Sequence, residues 1–167
     1  QIIATTHSPS ILGRAEPHEL LSFQRDSDQT EAVKWSKDEL QDITMELEPD
    51  ESKRGKKYNQ LRNWTDFFME RYADAFFSNC VIVVEGETEE GAIPIWASKL
   101  NPPIDFDELG ISLVNAKGDS ITYTLKILDS FDIDHTCFCD RGDEHDVAGI
   151  SEGGLHFTRG HELEDDV

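Results

Sequence analysis

Residues 80–90 read CVIVVEGETEE: five apolar residues in succession, then Glu85, Gly86 and, within four further positions, Glu87, Glu89 and Glu90. An apolar run without alternation is the pattern of a strand buried on both faces, as in a parallel sheet. Its abrupt end on acids is unusual, because a turn needs polarity but not charge. Glu89 follows Glu85 by four positions in the turn that opens a helix. With Gly86 allowing a tight exit, the two carboxylates are expected to face a common point.

Reading outward, TEEGAIPIWASKL (88–100) continues as a helix, with Pro94 in an early turn or at a kink. GISLVNA (110–116) is a second strand, DSITYTLKILDSF (119–131) a second helix, IDHTCFCD (133–140) a third strand and GGLHFT (153–158) a shorter fourth. Alternating strands and helices predict an α/β fold, a mostly parallel sheet flanked by helices. Ligands of such sheets gather at the carboxyl ends of the strands. Glu85 ends the first strand of this block and Asp140 the third, so both fall on one rim.

Upstream the text differs. QIIATT (1–6), LLSFQRD (20–26) and TEAVKWS (30–36) read as strands, with HSPSILGRAEPHE (7–19) as a loop. Residues 37–60 read as helical pieces joined by an exposed linker, PDESKRGKK (49–57) being its most solvated part. Between 61 and 78, Leu61, Trp64, Phe67, Phe68, Tyr72, Ala75 and Phe76 recur at helical spacing, a stripe expected to pack on a neighbouring element. The chain opens without Met and in mid-apolar run, and is expected to be an excerpt of a longer protein.

Composition bounds the partners. The 167 residues carry 35 acids against 15 bases, a formal charge of −20, which repels nucleic acid and acidic membranes at long range. A nucleic-acid role therefore needs divalent metal or basic surface from elsewhere. No apolar stretch approaches the roughly 18 residues of a membrane span, and there is no secretory signal. The three cysteines, Cys80, Cys137 and Cys139, show no zinc spacing and read as reduced thiols in a cytoplasmic protein. Cys137 and Cys139 share one strand face, as small core residues.

Carboxylates crowded without matching bases repel one another unless a hard cation binds between them. Besides Glu85, Glu89 and Asp140, the segment after the third strand holds Asp143, Glu144 and Asp146, and the end holds Glu162, Glu164, Asp165 and Asp166. Each has a plainer reading: acids in a helix's first turn stabilise its dipole, and DRGDEHD (140–146) reads equally as a hydrated loop. No G-x-x-x-x-G-K-[ST] phosphate loop and no G-x-S-x-G elbow occurs. Tyr123, a candidate nucleophile, sits mid-helix beside Ile121 and Leu125, where packing is its expected role.

VIVVEGETEE (81–90), followed at a βαβ distance by CFCDRGDEHD (137–146), resembles the Toprim domain shared by topoisomerases, primases and nucleases. The form E-G-x-T-E resembles the OLD (overcoming lysogenization defect) family of ATP-dependent nucleases. IIATTHSPSIL (2–12) is similar to the last strand and switch-histidine loop of the ABC-type ATPase that precedes Toprim in that family. The resemblance implies the C-terminal strands and helices of an ABC-type ATPase domain with linker helices over 1–77, and a Toprim domain over 78–167 that is incomplete at its C-terminus.

It further implies a metal-dependent endonuclease cutting DNA, with two Mg²⁺ or Mn²⁺ ions held by Glu85, Glu89, Asp140, Asp143 and Glu164, of which Glu85, Glu89 and Asp140 are catalytic. Glu162 is a weaker candidate than Glu164. His7 corresponds to the histidine that senses the γ-phosphate of ATP, the Walker motifs lying upstream of Gln1. A homo-oligomer formed through the ATPase part, a possible partner subunit, a cytoplasmic setting and a role in anti-phage defence are implied in the same way. The sequence departs from the D-x-D pattern: DRGD has Gly142 where the second Asp stands, so either Asp143 substitutes or one ligand is missing. A degenerate Toprim that binds a partner or relays the ATPase state is the alternative.

Overall fold

The computed structural model describes residues 3–26, 29–118, 120–139 and 154–157. The chain divides into two compact units, Gln1–Ala73 with Ser130–Asp132, and Asp74–Asp129 with Ile133–Val167. No helix among the described residues is long and apolar enough to cross a membrane.

Of the strand expected at 1–6, the described residues 3–6 form no regular element, nor do residues 7 and 8, and Ile3 is exposed; residues 1 and 2 lie outside the described residues. An extended segment becomes a strand only where another strand takes up its N–H and C=O groups, and among the described residues none does so for residues 3–6. A short helix α1 (Pro9–Leu12) and a 3₁₀ turn at Pro17–Glu19 follow. The two expected strands form an antiparallel hairpin, β1 (Ser22–Asp26) with β2 (Gln29–Val33), in the register Ser22↔Val33 to Asp26↔Gln29.

Helix α2 (Glu39–Leu47) packs against α3 (Glu51–Arg71). The basic stretch expected to be a linker is the first turns of α3. Asp50 starts the helix by accepting the Ser52 N–H at 3.0 Å, and Lys and Arg are good helix formers that keep their charges in water. Leu61, Trp64 and Phe68 of the aromatic stripe are buried, as is Met69, while the helix ends at Arg71, followed by a 3₁₀ turn at Ala73–Phe77. Trp35 meets Phe131 edge to face, with ring centroids 5.1 Å apart.

The second unit is the predicted α/β layer structure. Its strands are β3 (Cys80–Val84), β4 (Ile111–Asn115), β5 (His135–Cys139) and β6 (Gly154–Phe157), all parallel and ordered β4-β3-β5-β6. Helices α4 (Glu87–Lys99) and α5 (Phe106–Leu109) connect β3 to β4, and α6 (Ile121–Ser130) connects β4 to β5. Pro94 lies inside α4 rather than in its first turn. Val81, Val83, Val84 and Val114 are inaccessible to solvent, as are Leu125, Ile127 and Leu128 of α6. Each such side chain contributes about 1.5–3 kcal/mol by leaving water, an upper figure for a chain already partly collapsed when unfolded. Tyr123 is buried in α6, in the packing role expected of it.

This strand order positions the site. From β3 the chain crosses to β4 on one side of the sheet, whereas β6 lies beyond β5 on the other. Adjacent strands whose connections depart in opposite directions leave a crevice at their carboxyl ends. Here the crevice lies between β3 and β5, at the ends followed by Glu85 and Asp140.

Candidate metal centre

β3 and β5 pair with Val83 opposite Cys137 and Val84 opposite Phe138. Carried one step further, that register sets Glu85 level with Cys139, one residue short of Asp140. Glu85 is half-buried. Its charge reaches β5: the Cys137 thiol is held well above the usual range, first by its hydrogen bond with Cys139, then by burial, then by electrostatic interaction with Cys139 and with Glu85.

Gly86 opens α4 with an extended backbone, φ −143° and ψ −174°, which any residue adopts. The expected tight exit is therefore not what calls for glycine. A Cβ at position 86 would stand 3.2 Å from Glu89 Oε2, so the missing side chain makes room for that carboxylate. Glu89 turns back toward the start of its helix and its Oε2 accepts the Gly86 N–H at 2.9 Å. This satisfies one of the helix's orphan donors and sets the negative charge at the positive end of the dipole.

Glu89 is only 5% exposed, and among the described residues neither Lys nor Arg pairs with it. A buried carboxylate with one hydrogen bond and no countercharge is costly unless a cation supplies the balance. The two acids expected at the crevice, Glu85 and Glu89, offer oxygen donors, which suit a hard divalent cation better than zinc or copper. Among the described residues alone, no group of three or more His, Cys, Asp or Glu side chains is close enough to enclose an ion. Asp140, Asp143 and Glu164, the other expected ligands, lie outside the described residues, as does Glu162.

The neighbouring strand is tied to this turn by contacts that residue spacing does not reveal. Ala116 N–H donates to Val84 O at 2.8 Å and Gly118 N–H to Glu85 O at 2.9 Å, extending the sheet ladder past the end of β4. Buried Asn115, the last residue of β4, donates from Nδ2 to Glu90 Oε2 at 2.9 Å and accepts the Lys117 N–H on Oδ1 at 2.9 Å. The signal in the sequence is an apolar strand ending on Asn, but its partner is identified only by strand order and register. In the first unit, His7 is exposed in the segment before α1, and Thr6 Oγ1 nearby accepts the Ser8 N–H at 2.9 Å.

Comparison with known proteins finds one family model and two solved structures similar to parts of the chain. The family model described as overcoming lysogenization defect protein-like, TOPRIM domain, matches residues 76–141. Two solved structures of the C-terminal region of the Xanthomonas campestris pv. campestris OLD protein, one phased with platinum and one with mercury, are similar to the chain at 24% identity. Their TM-scores are 0.43 and 0.41, covering 54% and 53% of this chain and 54% and 55% of theirs. The chain therefore spans about half the length of the solved chains it matches. No curated protein matches it. The matched segment runs from just before β3 to just past β5 and so contains both strands of the crevice: residues 76–141 of the chain match the OLD-like Toprim domain.

Proposed function

We propose that this Toprim domain is a divalent-metal-dependent endonuclease that hydrolyses DNA phosphodiester bonds within an ATPase-coupled OLD-type nuclease. The observation that carries the proposal is Glu89: a buried carboxylate without a basic partner among the described residues, one helical turn from Glu85 at the crevice of a parallel sheet. The family match is consistent with nuclease-type chemistry.

Glu85 and Glu89 would hold Mg²⁺ or Mn²⁺ together with Asp140, Asp143 and Glu164, two ions being the expected number. When bound, such cations lower the pKa of a water and neutralise charge on the leaving oxygen, so no protein nucleophile is required. Gly86 and the first turn of α4 fix where Glu89 stands, and the β3–β5 ladder fixes Glu85. One of these glutamates then accepts the proton released by the attacking water.

ATP acts in the neighbouring ATPase part, with His7 as its γ-phosphate sensor, and that part supplies the homo-oligomer contacts. The basic surface that grips DNA comes from the rest of the protein or a partner subunit. A cytoplasmic role in anti-phage defence completes the reading.

Gly142, in place of the second acid of D-x-D, supports the rival reading of a non-catalytic regulatory Toprim. Plasmid nicking by the complete protein in Mg²⁺ or Mn²⁺ separates the two. Wild type should nick, whereas Glu85→Ala and Asp140→Ala should lose most of the activity. Equal nicking by all three excludes this site, and a wild type that binds Mn²⁺ but never cuts favours the regulatory module.

A further inference from the structure

We infer that Lys117 is a substrate-binding residue of this site, its ammonium group contacting a DNA phosphate beside the metal ligands. The inference rests on the nuclease reading and adds to it a residue that the acidic motifs do not include. β4 runs parallel to β3 with Asn115 opposite Val84, so the segment after β4 emerges at the same rim as Glu85. Lys117 sits two positions beyond Asn115, between two anchored neighbours. Ala116 N–H is bound to Val84 O at 2.8 Å and Gly118 N–H to Glu85 O at 2.9 Å. The Lys117 N–H itself is held by Asn115 Oδ1 at 2.9 Å, and Asn115 is held in turn by Glu90 at 2.9 Å.

These bonds fix Lys117 in the left-handed region, φ 53°, followed by Gly118 at φ 67°. An L residue with a long side chain is disfavoured there; glycine or asparagine would build the same turn at lower cost. A strained backbone over-determined by its surroundings, next to a candidate site, is where function is to be sought. What lysine adds to this turn is a positive charge on an exposed side chain, in a chain whose formal charge is −20. An ammonium beside a metal-binding rim suits a phosphate oxygen of a nucleic-acid backbone, for which Lys acts as a point charge.

A purely structural lysine, neutralising the acids of its own rim, makes the opposite prediction for DNA binding. The test uses the complete protein and the variants Lys117→Gly and Lys117→Arg. Glycine accepts φ 53° without strain, so Lys117→Gly should melt at or above the wild-type temperature. Binding of a fluorescent DNA duplex is read by anisotropy in Ca²⁺ over a range of salt concentrations, and plasmid nicking is measured in Mn²⁺. Lys117→Gly should weaken duplex binding, flatten the dependence of log affinity on log salt by about one unit, and slow nicking about tenfold or more.

Mn²⁺ affinity, followed by calorimetry, should be unchanged, and Lys117→Arg should restore the slope. A Lys117→Gly protein with wild-type salt slope and nicking rate overturns the inference, as does one whose defect is confined to Mn²⁺ binding. If wild type itself cuts nothing in Mn²⁺, the hydrolytic reading fails, and the salt slope still decides whether Lys117 contacts phosphate.

Discussion

Glu89 accepts the Gly86 N–H at 2.9 Å, so one carboxylate both begins α4 and stands at the candidate metal centre. The two roles separate by substitution. Glu89→Gln retains a carbonyl oxygen for the Gly86 N–H and should unfold within about 1 kcal/mol of wild type. Glu89→Ala strands that donor and should cost about 1–3 kcal/mol. Both remove a charged oxygen ligand and should weaken Mn²⁺ binding by about tenfold or more. Denaturant unfolding paired with calorimetric Mn²⁺ titration checks this. A Glu89→Gln protein that binds Mn²⁺ as wild type does would leave Glu89 a helix start and nothing more.

Why this turn could be read from the sequence, when other parts could not, follows from the range of the forces involved. The β3 run and its acids are local: five apolar residues admit little but a buried strand, and the charge that follows is conspicuous in any conformation. The strand alternation that gave the parallel sheet is equally local. Residues 3–6 look like a strand for the same reason, yet strand formation depends on a pairing partner, which local pattern does not supply. The basic stretch before Leu61 misleads in the opposite direction. Solvation suggested a linker, whereas the Asp50 cap and the buried Leu61 and Trp64 further along carry one helix through it. Glu90 with Asn115, and Glu85 with Gly118, are pairs set by register between strands, and no spacing within one segment encodes them.

The Asn115–Glu90 contact gives a second prediction. Asn115 is 3% exposed and donates to a carboxylate, while its Oδ1 accepts the Lys117 N–H. Asn115→Asp keeps the acceptor and replaces the donor with a second negative charge against Glu90. At neutral pH the variant should lose about 2–3 kcal/mol of stability. Burial and Glu90 both raise the folded-state pKa of the carboxyl introduced at position 115 above its unfolded value of about 3.9. The deficit should therefore be greatest above the carboxylate range and shrink as pH falls below about 5. Urea unfolding at pH 7.5 and pH 5 measures it; a pH-independent deficit would show that Asn115 acts by packing alone.

The thiols on β5 set a limit on stability at high pH. Cys137 and Cys139 are 1% and 0% exposed, whereas Cys80 is half-buried at the start of β3. All are free thiols. Cys137 is held above its ordinary 9.0 by its hydrogen bond with Cys139, by burial and by neighbouring negative charge, and Cys80 chiefly by burial. The native Cys137 and Cys80 thiols thus stay protonated where those of the unfolded chain ionise. With a raised folded pKa, their contribution is complete below about pH 9 and is lost as pH climbs toward the folded value, at about 1.4 kcal/mol per pH unit per thiol. Cys137→Ala should therefore be less stable than wild type at pH 7, from the packing it loses, and should decline less steeply between pH 9 and 10. In native protein a maleimide should label Cys80 first and reach Cys137 and Cys139 only after denaturant is added, as judged by mass spectrometry. Equal labelling of Cys80 and Cys137 without denaturant would mean that β5 opens to solvent, and with it the crevice on which Glu85 depends.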